Sequence, residues 1–166
     1  MSQLTVADIF TISNALVLPG WVLLVVLPLW KWTRIFAAYL IPGLLSLLYF
    51  VVMISDVGSV KGGFSSIHDV GEMFRNEWLL LAGWVHYLAF DLFVGAWEVR
   101  DAQRLEVPHW YVVPCLGLTF LAGPIGLLAY FGVRAAVVRS WPGAEPPTSH
   151  RTPRPRPPVP PPARQS

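Results

Sequence analysis

Charge is scarce in this chain. Only 13% of its 166 residues are Asp, Glu, Lys or Arg, against about 25% in an ordinary soluble domain. The net charge of +2 excludes a strongly basic surface of the kind that binds nucleic acid. No Lys or Arg precedes Lys31, so the N-terminus lacks the basic segment of a secretory signal peptide. Its apolar run is also too long and no small-residue cleavage site follows, so it reads as a retained membrane span. A single cysteine, Cys115, excludes an intramolecular disulfide and a cysteine metal cluster. The sequence has no phosphate-binding glycine loop, Gly-x-Ser-x-Gly elbow, zinc motif or Ser-His-Asp order.

What the chain has instead is apolar length. Hydrophobic residues make up 54% of it and the mean hydropathy is +0.52. Four stretches, 9–30, 35–54, 78–97 and 110–133, each supply the roughly 20 apolar residues that span about 30 Å of hydrocarbon. Their hydrophobicity runs all round each helix, which argues against a soluble bundle with one apolar stripe per helix. Trp30, Trp32, Trp78, Trp97 and Trp110 fall at the predicted ends, where indole rings favour the headgroup zone. Lys31 and Arg34 mark one short turn, Arg100 and Arg104 another. The expected fold is all-α, a polytopic four-helix transmembrane bundle in 1–138. The loop 55–77 is expected to carry a short amphipathic interfacial helix, with Ser66 and Asp69 as a capping pair and Phe64, Ile67, Val70 and Phe74 near one face. The Pro/Arg-rich tail 139–166 cannot bury a core and is expected to be disordered.

An even number of spans places both termini on one side. The cations close to the spans nearly balance: Lys31, Arg34, Arg100 and Arg104 against Lys61, Arg75, Arg134 and Arg139. The tail arginines favour cytoplasmic termini. Pro19, Pro28, Pro42, Pro114 and Pro124 fall within the spans, three of them beside glycine. Each removes a helix hydrogen bond, and in lipid the freed carbonyl must find a partner inside the protein. Kinked helices around an internal pocket, or tight packing through small residues, are the two readings.

The polar groups inside the spans bear on function. A carboxylate near the middle of a membrane helix costs roughly 2.5–3.5 kcal/mol on insertion scales, so Asp91 and His86 within 78–97 need shelter, partners or a role. Asp91 and Glu98 are seven residues apart and share a helical face with Trp84. His86 lies about 140° round from Asp91, so the two either line different walls of one cavity or meet different neighbours. Three readings stand: an interhelical clamp, a general acid/base pair in a lipid-accessible pocket, or a metal or haem site using His86 with Asp91 or Glu98. The last lacks a His-x3-His or bridging-carboxylate pattern, and no metal or other cofactor is expected. Asn14, Trp21, Trp84, Tyr87, Glu98 and Thr119 are the candidates for holding a substrate.

The strings WVHYLAFDLFVGAWEVRDA (84–102), VPCLGLTFLAGPIGLLAYF (113–131) and NALVLPGWVLLVVLP (14–28) resemble the abscisic-acid-deficient-four family. These are plant plastid proteins required for making neoxanthin, with bacterial relatives. The resemblance covers the chain from about residue 9 to 133 and leaves out the tail. It implies a polytopic protein of carotenoid or isoprenoid metabolism, a neoxanthin-synthase-like intramolecular isomerase. Neoxanthin arises from violaxanthin when an epoxide opens, a proton leaves the polyene end and an allene forms, without net redox change. Such chemistry needs an acid at the epoxide oxygen and a base at carbon, and residue chemistry nominates His86 and Asp91. With no transit-peptide-like extension, the chain reads as a bacterial member in the cell inner membrane. Its expected partners are membrane lipid and a carotenoid or isoprenoid substrate, with a second copy or a pathway enzyme also considered. The alternative is a noncatalytic scaffold or pigment-binding subunit.

Overall fold

A computed structural model of the chain describes residues 4–56 and 62–138. The Pro/Arg-rich tail lies outside the described residues. The fold is all-α, and four helical stretches are each long and apolar enough to cross a membrane.

Helix α1 (Val6–Val26) opens with a capping box: Thr5 Oγ1 accepts the Asp8 N–H at 3.2 Å and the Asp8 carboxyl accepts the Thr5 N–H at 3.0 Å. After Pro28 the chain turns into α2 (Lys31–Ile35), a π-helical turn (Phe36–Leu40) and α3 (Ile41–Asp56), which form one continuous rod. The π turn sits one turn ahead of Pro42, whose ring would collide with the Ala38 carbonyl in a regular helix. Widening the turn removes the collision. Thr33 Oγ1 donates to the Leu27 carbonyl at 2.6 Å and ties the α1–α2 connection.

Helix α4 (Ile67–Met73) is short. Ser66 caps it by accepting the Asp69 N–H at 3.1 Å. Asn76 caps α5 (Glu77–Arg104), which lies at the centre and packs on α1, α3 and α6 (His109–Val138). α5 ends in a Schellman motif: Val107 N–H reaches the Ala102 carbonyl at 2.9 Å and Glu106 N–H the Gln103 carbonyl at 3.3 Å. Glu106 carries the left-handed conformation, φ 57°, that glycine adopts without strain. Glu106→Gly should therefore raise stability by up to about 1 kcal/mol, readable as a higher thermal midpoint in detergent.

The sequence places one proline-kinked span after Trp110, and the structure turns the kink at Pro124 into a reversal. At Ala122 (φ −157°, ψ 70°) the helix breaks just ahead of Gly123-Pro124. The first arm, 109–121, descends antiparallel to α5, so that Thr119 meets Glu98 and Gly123 meets Asp91. A straight continuation would carry Arg134 about 16 Å further along the same direction. Instead Tyr130 and Arg134 both bond to Asp101, and Trp97 packs edge-on against Tyr130 and Phe131. The second arm, 123–138, thus returns to the end where α6 began, with Gly126 backed directly onto Thr119.

Two expectations change with this reversal. The described ends, Leu4 and Val138, lie at opposite ends of the bundle rather than on one side. Arg134 joins Lys31, Arg34, Arg100 and Arg104 instead of opposing them. The turn is possible because Pro124 has no N–H and leaves the Phe120 carbonyl without its helical partner. Tyr87 of α5 fills that role, its hydroxyl donating to Phe120 O at 3.0 Å.

The core runs along α5 through Leu81, Val85, Leu88, Leu92, Ala96 and Val99, against Val17 and Leu24 of α1 and Leu45 of α3. The outer surface is equally apolar. Val22, Leu47, Phe50, Phe90 and Leu128 are each more than half exposed, which is the surface of a protein solvated by lipid rather than water.

Candidate functional site

One face of α5 carries a column of polar side chains, Tyr87, Asp91, Glu98 and Asp101, all turned toward α6. Asp101, at the α5 C-terminal end, is fully engaged. Its carboxyl accepts from Tyr130 Oη at 2.8 Å, Arg134 Nε at 2.9 Å and Arg104 at 3.2 Å. Glu98 is completely buried. The Thr119 hydroxyl lies 2.9 Å from Glu98 Oε1 and 3.0 Å from the Cys115 carbonyl, and donates to one of them at a time. Glu98 and Asp101 lie just past Trp97, where the apolar stretch 78–97 ends. The returning arm of α6 covers them, and α5 continues as helix to Arg104.

Asp91 sits halfway along α5, at the corner of α6. Its carboxyl packs on Gly123, where any side chain would displace it, and the Gly123 N–H donates to it. Gly123 begins the second arm, so Asp91 supplies from another helix the acceptor that an N-cap residue normally provides. The Tyr87 hydroxyl also reaches the Asp91 carboxyl. Asp91 Oδ2 is buried and has no hydrogen-bond partner among the described residues, and Glu98 Oε2 is in the same state. Buried oxygens without partners are costly and uncommon.

Because α6 turns back at Gly123, none of its residues lines the space beside α5 ahead of Tyr87. This space, between α5, α1 and Phe74, is an apolar groove of about 700 Å³. Phe10, Phe74, Leu80, Trp84 and Tyr87 line it. Trp84 is held in place: its Nε1 donates to Asn14 Oδ1 at 3.1 Å, and its ring lies between Phe10 and Tyr87 at centroid distances of 5.5 and 5.3 Å. Asn14 is itself anchored by donating to the Phe10 carbonyl at 2.8 Å. The groove therefore runs from the α4 end of the bundle to Tyr87, one helical turn from Asp91.

Among the candidates from sequence, Asn14, Trp84 and Tyr87 meet at the groove, and Asp91 lies one helical turn beyond Tyr87, outside the groove lining. Glu98 and Thr119 pair with each other beyond the corner. Trp21 does not reach the groove. It is buried against Gly95 and stacks edge-on with Phe120, at 5.4 Å. His86 is on another face. It is exposed toward the lipid, stacked on Phe90 at 4.4 Å and tilted against Tyr49 of α3 at 5.7 Å. The fold thus separates the two side chains nominated as an acid/base pair, as their 140° offset on one helix requires. Sequence reasoning missed the Asp101–Tyr130–Arg134 cluster and the wall formed by Phe10 and Phe74. The only signal for either was the Gly123-Pro124 pair. Among the described residues no group of three or more His, Cys, Asp or Glu is placed to hold a metal ion.

A lipid-open groove, apolar but for Glu77 and the Tyr87 phenol, can receive an elongated hydrophobic molecule, and the Asp91 carboxyl, with one unengaged oxygen, lies one helical turn behind that phenol. Comparison with the curated proteins and with solved structures finds no match. A family profile does match, over residues 8–130, which takes in α1 through the corner of α6 and both sides of the groove, and the chain belongs to the ABA DEFICIENT 4-like family.

Proposed function

We propose that this protein takes a carotenoid or related isoprenoid into the α1–α5 groove from the membrane and rearranges its end group by acid/base chemistry, as an isomerase. The observation that carries this reading is the position of Asp91, a carboxyl with a buried, unpartnered Oδ2 one helical turn beyond Tyr87, the residue that closes the groove. Membership of the ABA DEFICIENT 4-like family supports the choice of a carotenoid. With an epoxide-bearing end ring, ionised Asp91 takes the proton from carbon. Electrons from the broken C–H bond form the new double bond, the C–O bond of the epoxide breaks, and the Tyr87 hydroxyl protonates the oxygen. Return of the proton from Asp91 to the Tyr87 phenolate resets both groups, so nothing is consumed.

A second reading has its own observation. The Asp91 carboxyl caps the second arm of α6 and Tyr87 fills the carbonyl freed by Pro124. Both groups thus have structural tasks, as in a noncatalytic pigment-binding subunit. Asp91→Asn separates the two readings, because asparagine keeps the capping oxygen but cannot act as the base. Carotenoid-producing bacteria expressing the wild type should contain a rearranged pigment. Asp91→Asn, present in the membrane at the wild-type level, should lower its yield at least about 100-fold, and Ala7→Trp, which fills the groove, should abolish it. His86→Ala should leave it unchanged. A full yield from Asp91→Asn would remove the catalytic reading.

A further inference from the structure

The end of the bundle away from the groove has a different chemistry. Lys31 and Arg34 of α2 and Arg100 of α5 line a second cleft, of about 230 Å³, beside the α1–α2 turn. No acidic side chain lines it. Arg75, Arg104 and Arg134 each pair with a carboxylate, Glu72 or Asp101. Among the described residues none pairs with Lys31, Arg34 or Arg100. Among the described residues the cations without a carboxylate therefore converge on one place. Like charges gathered this way repel one another unless an anion joins them.

The walls of the cleft are built and their own polar groups are occupied. Gln103 Nε2 donates to the Pro28 carbonyl at 2.8 Å and Thr33 Oγ1 to the Leu27 carbonyl at 2.6 Å, which sets the α1–α2 turn against α5. Arg100 donates only its Nε to the Ala96 carbonyl, at 3.3 Å. The two terminal nitrogens of its guanidinium remain for a ligand, in the planar fork that suits phosphate oxygens. Lys31, whose ammonium stands over the Trp32 ring 5.5 Å from its centre, adds a second cation to the lining. The floor is apolar, made by Leu24, Ala96 and Val99. Trp30 at the rim places the cleft at the level of lipid headgroups.

We infer that this cleft binds the phosphate group of an anionic phospholipid, which bridges α2 to α5 and braces the α1–α2 turn. Phosphate is the shared chemistry of a lipid headgroup and of the free ion. The apolar floor and the depth at the membrane boundary select the lipid.

The test uses the full chain in nanodiscs of phosphatidylcholine, with or without phosphatidylglycerol, and reads thermal unfolding together with native mass spectrometry of the lipid retained. Phosphatidylglycerol should raise Tm by about 5 °C and remain bound. Arg34→Gln, at an exposed position, and the Arg34→Gln/Arg100→Gln pair should lose both effects, while Arg75→Gln should keep them. Equal behaviour in the two lipids, or full retention by the double variant, overturns the site. An equal shift from inorganic phosphate in phosphatidylcholine alone overturns the lipid as its ligand.

Discussion

Reporters attached ahead of Leu4 and after Val138 should lie on opposite sides of the membrane. α1, the α2–α3 rod and α5 each run the length of the bundle, while α6 enters and leaves at one end because Tyr130 and Arg134 return to Asp101. That end carries Lys31, Arg34, Arg100, Arg104 and Arg134, whereas among the described residues Arg75 is the cation near the other end. By the positive-inside rule the excess of Lys and Arg should put the α5–α6 turn on the cytoplasmic side. Alkaline phosphatase should therefore be active only when fused at the N-terminus, and green fluorescent protein should fluoresce only at the C-terminus. The outcome is all-or-none. Two fusions reporting the same side would show that α6 crosses the bilayer, and the groove, which exists because α6 stops at mid-depth, would go with it.

The second large effect is on stability. Arg134 is 1% exposed, and it closes the returning arm of α6 onto Asp101. Arg134→Met leaves the buried Asp101 carboxylate short of its closest cationic donor. The loss should be about 3 kcal/mol, at the lower end of the cost of breaking a buried ion pair because Tyr130 and Arg104 still bond to Asp101. For a chain of this size that is a fall in Tm of roughly 6–12 °C, measured in detergent or nanodiscs. The double variant Arg134→Met/Asp101→Asn should recover most of it, since the stranded charge is then gone. A double variant no more stable than Arg134→Met would place the energy in packing against Trp97 and Phe131 rather than in the ion pair.

Parts of the site could be read before the fold was known. Asp91 stood out because a carboxyl in the middle of an apolar helix is expensive, and it does prove to lie at a built corner. Pro124 pointed to a carbonyl in need of a partner, and Tyr87 provides it. His86 stood out for the same reason of cost, yet its ring rests on Phe90 and Tyr49 at the exposed surface of the bundle. Polarity within a span shows that a group needs an explanation but not on which side the explanation lies. The groove was legible only in part. Asn14, Trp84 and Tyr87 stood out as candidates, but its other walls come from Phe10 and Phe74, residues that any apolar span or interfacial loop would contain.

Composition and spacing by themselves determined that the chain is helical, that it belongs in lipid, and where its apolar stretches begin and end. They could do so because the cost of moving a segment from water to hydrocarbon is a sum over its own residues. Only the tertiary structure decided that α6 reverses at Ala122, that Glu98 and Asp101 are covered, and that a groove remains beneath the corner. Those outcomes depend on whether backbone groups released at Gly123-Pro124 meet Asp91 and Tyr87 on another helix, more than thirty residues away in sequence. Such a balance exists only between segments already packed together, and no property of either one alone contains it.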